Sequence, residues 1–131
     1  MTMDSSVGAI MQADCPSLSP GMPIRRAVAL LVEGGHDAAP VLDDSGGLVG
    51  ILTQKDCFRP AVHASYYQEW SGTVADHMTG GAVTLGVGDD LMLAATAFAD
   101  YPHRVFPVLD QGRPVGMLRR ADVLAALLRL G

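Results

Sequence analysis

A chain of 131 residues is long enough to bury a core without disulfides or a structural metal, and 49% of it is apolar. Aromatic residues make up only 5%, so that core must be aliphatic. Acidic residues outnumber basic ones 14 to 9, the net charge is -5 and Lys55 is the only lysine, which argues against a long phosphate backbone, and so against duplex nucleic acid, as partner because such binders need basic surface.

Cys15 and Cys57 stand apart, with neither a CxxC nor a Cys/His ligand spacing, so no disulfide framework or zinc site is indicated and both thiols are expected reduced. Met1 to Gln12 carries an acid at Asp4 and lacks both a basic n-region and an apolar stretch of signal length. No window approaches the ~18 to 20 apolar residues of a membrane span. A soluble, cytoplasmic protein is expected.

In chain order, Ser5 or Ser6 can cap a short helix to about Met11, and Asp14-Cys15-Pro16 ends it. Ser17-Leu18-Ser19 reads as a brief extended piece. Pro23 suits a first helical position, where its missing amide costs nothing, and Ile24, Ala27, Val28 and Leu31 then form one apolar face that Gly34-Gly35 stops. Ala38 to Leu42 is a predicted strand whose Pro40 favours an edge or a strand start, and Asp43 to Gly47 turns the chain into a second strand, Leu48 to Leu52. Thr53 is placed to cap a helix that Arg59-Pro60 interrupts near Phe58. Residues 59–72 read as a linker holding the one aromatic cluster, Tyr66, Tyr67 and Trp70.

The second half restarts with Thr73 capping a helix through Met78, ended by Gly80-Gly81. Val83-Thr84-Leu85 mirrors the earlier extended piece. Asp89 is the expected cap of a helix bearing Leu91, Ala94, Ala95 and Phe98 on one face. Strands are predicted at Val105 to Leu109 and Arg113 to Leu118, and a last helix, Arg120 to Leu130, places Val123, Leu124, Leu127 and Leu128 on a side read as core.

The halves repeat. Val7, Met11, Leu18, Gly21, Ala27, His36, Pro40, Val41 and Asp43 fall on Val74, Met78, Leu85, Gly88, Ala94, His103, Pro107, Val108 and Asp110 at a constant offset of 67. One residue is lost in the strand turn, so Gly50 and Asp56 meet Gly116 and Asp122 at an offset of 66. An internal duplication accounts for this register.

The order helix, short strand, helix, strand, strand, helix, with a proline-bearing strand before the turn Gly50-Ile51-Leu52-Thr53-Gln54-Lys55-Asp56, resembles the cystathionine-β-synthase (CBS) domain. Two copies in tandem resemble a CBS pair, or Bateman module, over essentially the whole chain. The resemblance implies an α/β (α+β) fold of two βαββα-type repeats packed through their sheets with pseudo-twofold symmetry. The repeats would be residues 1–58 and 73–131, joined by the linker at 59–72.

It also implies clefts for AMP, ADP, ATP or S-adenosylmethionine, no obligatory cofactor, a regulated protein partner and a homodimer. The chemistry of the turn agrees: a threonine hydroxyl with helix-terminal amides suits phosphate oxygens, and a carboxylate one turn on can accept from both hydroxyls of a ribose. Thr53 and Asp56 carry this in one turn and Asp122 in the other. By the same carry-over Ala38, Ala39 and Pro40, and Val105, Phe106 and Pro107, border the base, with Ser17 and Thr84 nearby.

The second turn, Gly116-Met117-Leu118-Arg119-Arg120-Ala121-Asp122, departs from the pattern, because Arg119 stands in the place of Thr53. Its guanidinium either supplies charge to a phosphate or closes the cleft by bulk. Arg104 is a further phosphate candidate. His36 and His103 occupy equivalent places and read as structural or exposed, with no further metal ligands at the right spacing. No nucleophile, base and orienter constellation appears, so a regulatory sensor is expected and not an enzyme. The alternative is an interaction module with vestigial clefts, for which the linker aromatics would serve association.

Overall fold

The spacing of Ile24, Ala27 and Leu31 gives helix α2 (Ile24–Gly34) its buried side, and Gly35 stops it in the left-handed region at φ 68°, its amide donating back to the carbonyls of Leu31 and Val32. The computed structural model describes residues 6–130, so Asp4 and the expected cap at Ser5 lie outside the described residues. Helix α1 (Val7–Ile10) precedes α2; strands β1 (Ala38–Leu42) and β2 (Leu48–Thr53), a 3-10 turn (Lys55–Cys57) and helices α3 (Phe58–Tyr67) and α4 (Val74–His77) follow. Strand β3 (Leu85–Gly86), helix α5 (Leu91–Asp100), strands β4 (Val105–Asp110) and β5 (Arg113–Arg119) and helix α6 (Arg120–Leu130) complete the order.

These elements pack as two compact units, Cys15–Ala82 and a second in which the segment up to Asp14 joins the chain from Val83 onward. Each unit therefore contains the first helix of the other sequence repeat. In the Cys15–Ala82 unit the amides of Val74 and Ala75 donate to the carbonyls of Met22 and Pro20, both at 2.9 Å, and Val74 is fully buried among Leu18, Ile24, Leu31 and Val41. In the other unit the amides of Val7 and Gly8 donate to Asp89 and Val87, and Val7 is fully buried among Leu85, Leu91, Phe106 and Val123.

Strand β1 pairs antiparallel with β2, and β4 pairs antiparallel with β5 and parallel with β3. A residue beyond each borrowed helix extends the pairing: Ile51 exchanges backbone hydrogen bonds with Thr79, and Met117 with Gln12. These contacts explain two glycines of the duplicated turn. A Cβ on Gly50 would lie 2.8 Å from the Thr79 carbonyl oxygen, and one on Gly116 would lie 2.8 Å from that of Gln12.

Pro40 lies in the middle of β1, an edge strand of its two-stranded sheet, so the edge alternative holds and the strand start does not; Leu18 donates to the Pro40 carbonyl on the side away from β2. Other sequence expectations are corrected. Pro60 does not interrupt its helix, because it occupies the third position of α3, where a first-turn amide needs no helical acceptor. Asp90, not Asp89, caps α5 by accepting from the Leu93 amide at 2.8 Å; Asp89 accepts instead from Gly86.

On α6 the core side is Val123 and Ala126, whereas Leu124 and Leu128 are 64% and 81% exposed. Nor are the aromatics of 66–70 the sole cluster. Phe98 and Tyr101 approach Phe106 with ring centroids 4.5 and 6.2 Å away, and His103 stacks on it at 5.3 Å. Among the described residues no helix is long and apolar enough to cross a membrane.

Candidate functional site

The first turn is built at the end of β2. Register places Thr53 opposite Ala38, Leu52 opposite Ala39 and Ile51 opposite Pro40, so the small residues of β1 lie directly beside the turn. Ala38, Ala39 and Pro40 are buried and Ser17 is exposed, one residue before the Leu18 that pairs with Val41. The Thr53 amide donates to Asp56 Oδ2 at 3.0 Å and the Asp56 amide donates to Thr53 Oγ1 at 3.2 Å, the reciprocal bonding of a capping box. Thr53 Oγ1 keeps its own hydrogen to donate, and Asp56 keeps Oδ1 to accept.

The helix-terminal amides are less available than the sequence suggested. The Gln54 amide donates to the Asp37 carbonyl at 2.9 Å and the Cys57 amide to Gln54, and with the Asp56 amide on Thr53 this leaves the turn little backbone donor capacity. Gln54 also donates from Nε2 to the His36 carbonyl at 2.8 Å, tying the turn to the start of β1. Beneath it the buried Cys57 thiol lies 3.4 Å from the Thr53 carbonyl. Burial, with the Asp56 carboxylate beside it, pushes this thiol up to about 11. Neither Gln54 nor Cys57 was singled out from sequence; their place in the turn depends on the β1 register, which carries no local signal.

The second turn has the same frame and different chemistry. Val105 lies opposite Arg119, Phe106 opposite Leu118 and Pro107 opposite Met117, and the Arg120 amide donates to the Arg104 carbonyl at 2.9 Å as Gln54 does to Asp37. Val105, Phe106 and Pro107 are buried, with Phe106 part of the core; Thr84 is half-buried and Arg104 exposed. Arg119, the last residue of β5, reaches onto the first turn of α6: Nε donates to Asp122 Oδ2 at 2.9 Å and Nη2 to Oδ1 at 3.1 Å. Both oxygens of the second aspartate are thus engaged by the guanidinium.

The structure therefore brings Thr53, Asp56 and Ala38 to Pro40 together in one unit. It brings Arg119, Asp122, Arg104 and Val105 to Pro107 together in the other. Two concavities lie in the Cys15–Ala82 unit. One of about 500 Å³ is bordered by Arg25, Glu69 and Trp70, and one of about 210 Å³ by Val28, Leu31, Cys57, Phe58 and Ala61; neither is lined by Thr53 or Asp56. No group of three His, Cys, Asp or Glu side chains among the described residues could hold a metal ion.

A family model for the CBS domain matches residues 7–62 and again 74–129. The chain belongs to the CBS-domain family. It is a tandem CBS pair of mixed α/β fold, and solved CBS pairs share that fold. CBSX2 from Arabidopsis thaliana is 26% identical, with 98% of this chain and 97% of that one covered and a TM-score of 0.82. The crystal structure of CBSX2 in complex with AMP gives 27% identity, coverage of 95% and 97%, and a TM-score of 0.81. Among curated proteins, the uncharacterized protein MJ1404 of Methanocaldococcus jannaschii is 29% identical over 108 residues, which are 82% of this CBS pair and 25% of that protein. The chain thus spans about a quarter of that relative's length.

Proposed function

We propose that this CBS pair is a regulatory, non-catalytic module that binds an adenine nucleotide or related adenosyl ligand. The observation that carries the reading is the Thr53 and Asp56 turn, with a hydroxyl hydrogen to give to a phosphate oxygen and a carboxylate oxygen, Oδ1, to take a ribose hydroxyl. AMP is the first ligand to try, because CBSX2, similar over nearly the full length of both chains, was crystallised in complex with AMP. Ala38, Ala39 and Pro40 would border the base, with Ser17 nearby. In the second turn Val105, Phe106, Pro107 and Thr84 hold the corresponding places, and Arg104 and Arg119 supply charge.

Calorimetric titration with AMP, ADP, ATP and S-adenosylmethionine tests the proposal. Saturable heat from at least one of them below millimolar concentration is the expected result, and silence from the whole panel, with no thermal shift, removes it. Ligand changes the state of such a module only by binding one arrangement more tightly than another.

A second role is association, as a homodimer or with a regulated protein. It is favoured by matched exposed apolar positions on α3 and α6. Phe58 and Val62 are 68% and 57% exposed, and their repeat equivalents are the exposed Leu124 and Leu128. Sedimentation of the purified chain tests this role, and a monomer at all concentrations speaks against the homodimer.

A further inference from the structure

From the unequal use of the two aspartates we infer that the Arg119 turn is charge-gated: it accepts a ligand that carries an anion together with a diol and discriminates against one that carries the diol alone. The inference rests on the reading of these turns as adenosyl-ligand sites. In the first turn Asp56 gives only Oδ2 to its own chain and holds Oδ1 for another donor. In the second, Arg119 takes Oδ2 at 2.9 Å and Oδ1 at 3.1 Å, so a hydroxyl pair arriving at Asp122 meets a carboxylate already engaged on both oxygens. The geometry is the parallel two-bond fork in which guanidinium and carboxylate match best.

The same fork fits a phosphate, which offers more charge and more oxygens than a carboxylate. Arg119 and Asp122 are 39% and 28% exposed, so the pair is only partly desolvated and its opening is not prohibitive. A ligand with a phosphate can therefore draw Arg119 away from Asp122 and, in the same movement, release the carboxylate for its hydroxyls. A neutral nucleoside offers the guanidinium no anionic fork in exchange, only neutral acceptors, and must compete with it for the same carboxylate oxygens. The register gives the swap its reach, since Arg119 stands opposite Val105 as Thr53 stands opposite Ala38. Arg119 is thus a specificity residue of this turn and not merely bulk within it.

The test isolates the second turn by disabling the first. The Asp56→Ala chain, or Asp56→Asn should the alanine variant melt early, is titrated with AMP and with adenosine, with and without Arg119→Ala, which removes the guanidinium without installing the hydroxyl that Thr53 offers in the first turn. With Arg119 present, AMP is expected to bind about tenfold or more tighter than adenosine, the usual scale of a charge-assisted hydrogen-bonded pair. Arg119→Ala should bring the two ligands within about threefold, by losing AMP affinity and gaining adenosine affinity. A preference for AMP that survives Arg119→Ala overturns the inference. So does an Asp56→Ala chain that binds neither ligand while the unsubstituted chain binds AMP, since the second turn is then closed to both. An unsubstituted chain that binds neither AMP nor adenosine defeats the underlying nucleotide reading itself, and this inference with it.

Discussion

Thr53 and Asp56 hold each other's backbone, the threonine amide on the aspartate at 3.0 Å and the aspartate amide on the threonine hydroxyl at 3.2 Å. One pair of side chains therefore serves both the start of a helix and the candidate ligand. Asp56→Ala should lower stability by about 1 kcal/mol through the lost cap. It should also weaken nucleotide binding by about 1 to 3 kcal/mol through the lost hydroxyl acceptor. Asp76→Ala separates the two effects, because Asp76 accepts the Thr73 amide at 2.8 Å in the same capping device on α4 and lies outside both turns. Its melting temperature should fall comparably in a thermal scan while its calorimetric affinity stays unchanged.

Gly50 and Gly116 are required by close backbone approach. Alanine at either would place a methyl group 2.8 Å from a carbonyl oxygen, of Thr79 or of Gln12, and backbone cannot swing aside as a side-chain end can. Each Gly→Ala substitution should cost about 1 to 3 kcal/mol, the usual range for overpacking. Urea denaturation reads this directly. Gly21→Ala is the contrasting substitution, since its added Cβ would meet no atom within 4 Å.

Cys57 sets an alkaline limit. Its thiol is pushed up to about 11 in the fold, chiefly by burial, so between about pH 9 and 11 the unfolded chain releases this proton while the folded chain keeps it. Fewer protons on the unfolded state means that stability falls as pH rises through that window. Urea midpoints at pH 8 and pH 10 should show the loss, and Cys57→Ala should lack this part of it. A thiol-specific reagent at neutral pH should modify Cys15 before the buried Cys57.

The exposed positions on α3 and α6 bear on assembly. Replacing Leu128, 81% exposed, by glutamate touches no core contact and should leave the melting temperature within about 0.5 kcal/mol equivalent of the parent. If that face associates, sedimentation should shift toward monomer. Leu124→Glu and Phe58→Glu, at matched positions of the two repeats, should act in the same direction.

The repeat, the strand pairs and both aspartate turns were legible because local pattern encodes them: alternation, a proline and a glycine at fixed distances, and an acid three residues into a helix. The role of the glycines was not, because Thr79 and Gln12 meet them only after helices from the other repeat have docked. The exposure of Leu124 and Leu128 was equally hidden, since periodicity distinguishes an apolar stripe but not which edge of it the neighbouring helix covers. Arg119 was recognised as the departure from the pattern, yet its engagement of Asp122 depends on a side-chain rotamer that sequence does not specify. Pro60 misled for a simpler reason: a proline reads as a breaker unless the helix start is known to within a residue or two.

The exchange of α1 and α4 means that the polypeptide passes between its two folded units twice, at Asp14–Cys15 and at Ala82–Val83. A single cut between Ala82 and Val83 would leave the chain from Val83 onward without a covalent link to the rest, yet still gripped by α1, whose Val7 is sealed in its core. Such a nicked molecule should behave as a pair of complementing fragments, dissociating on denaturation and recovering only when both pieces are present. Covalent continuity and folded continuity are thus distributed differently along this chain, and the two passages are where a nick leaves the cores of both units intact.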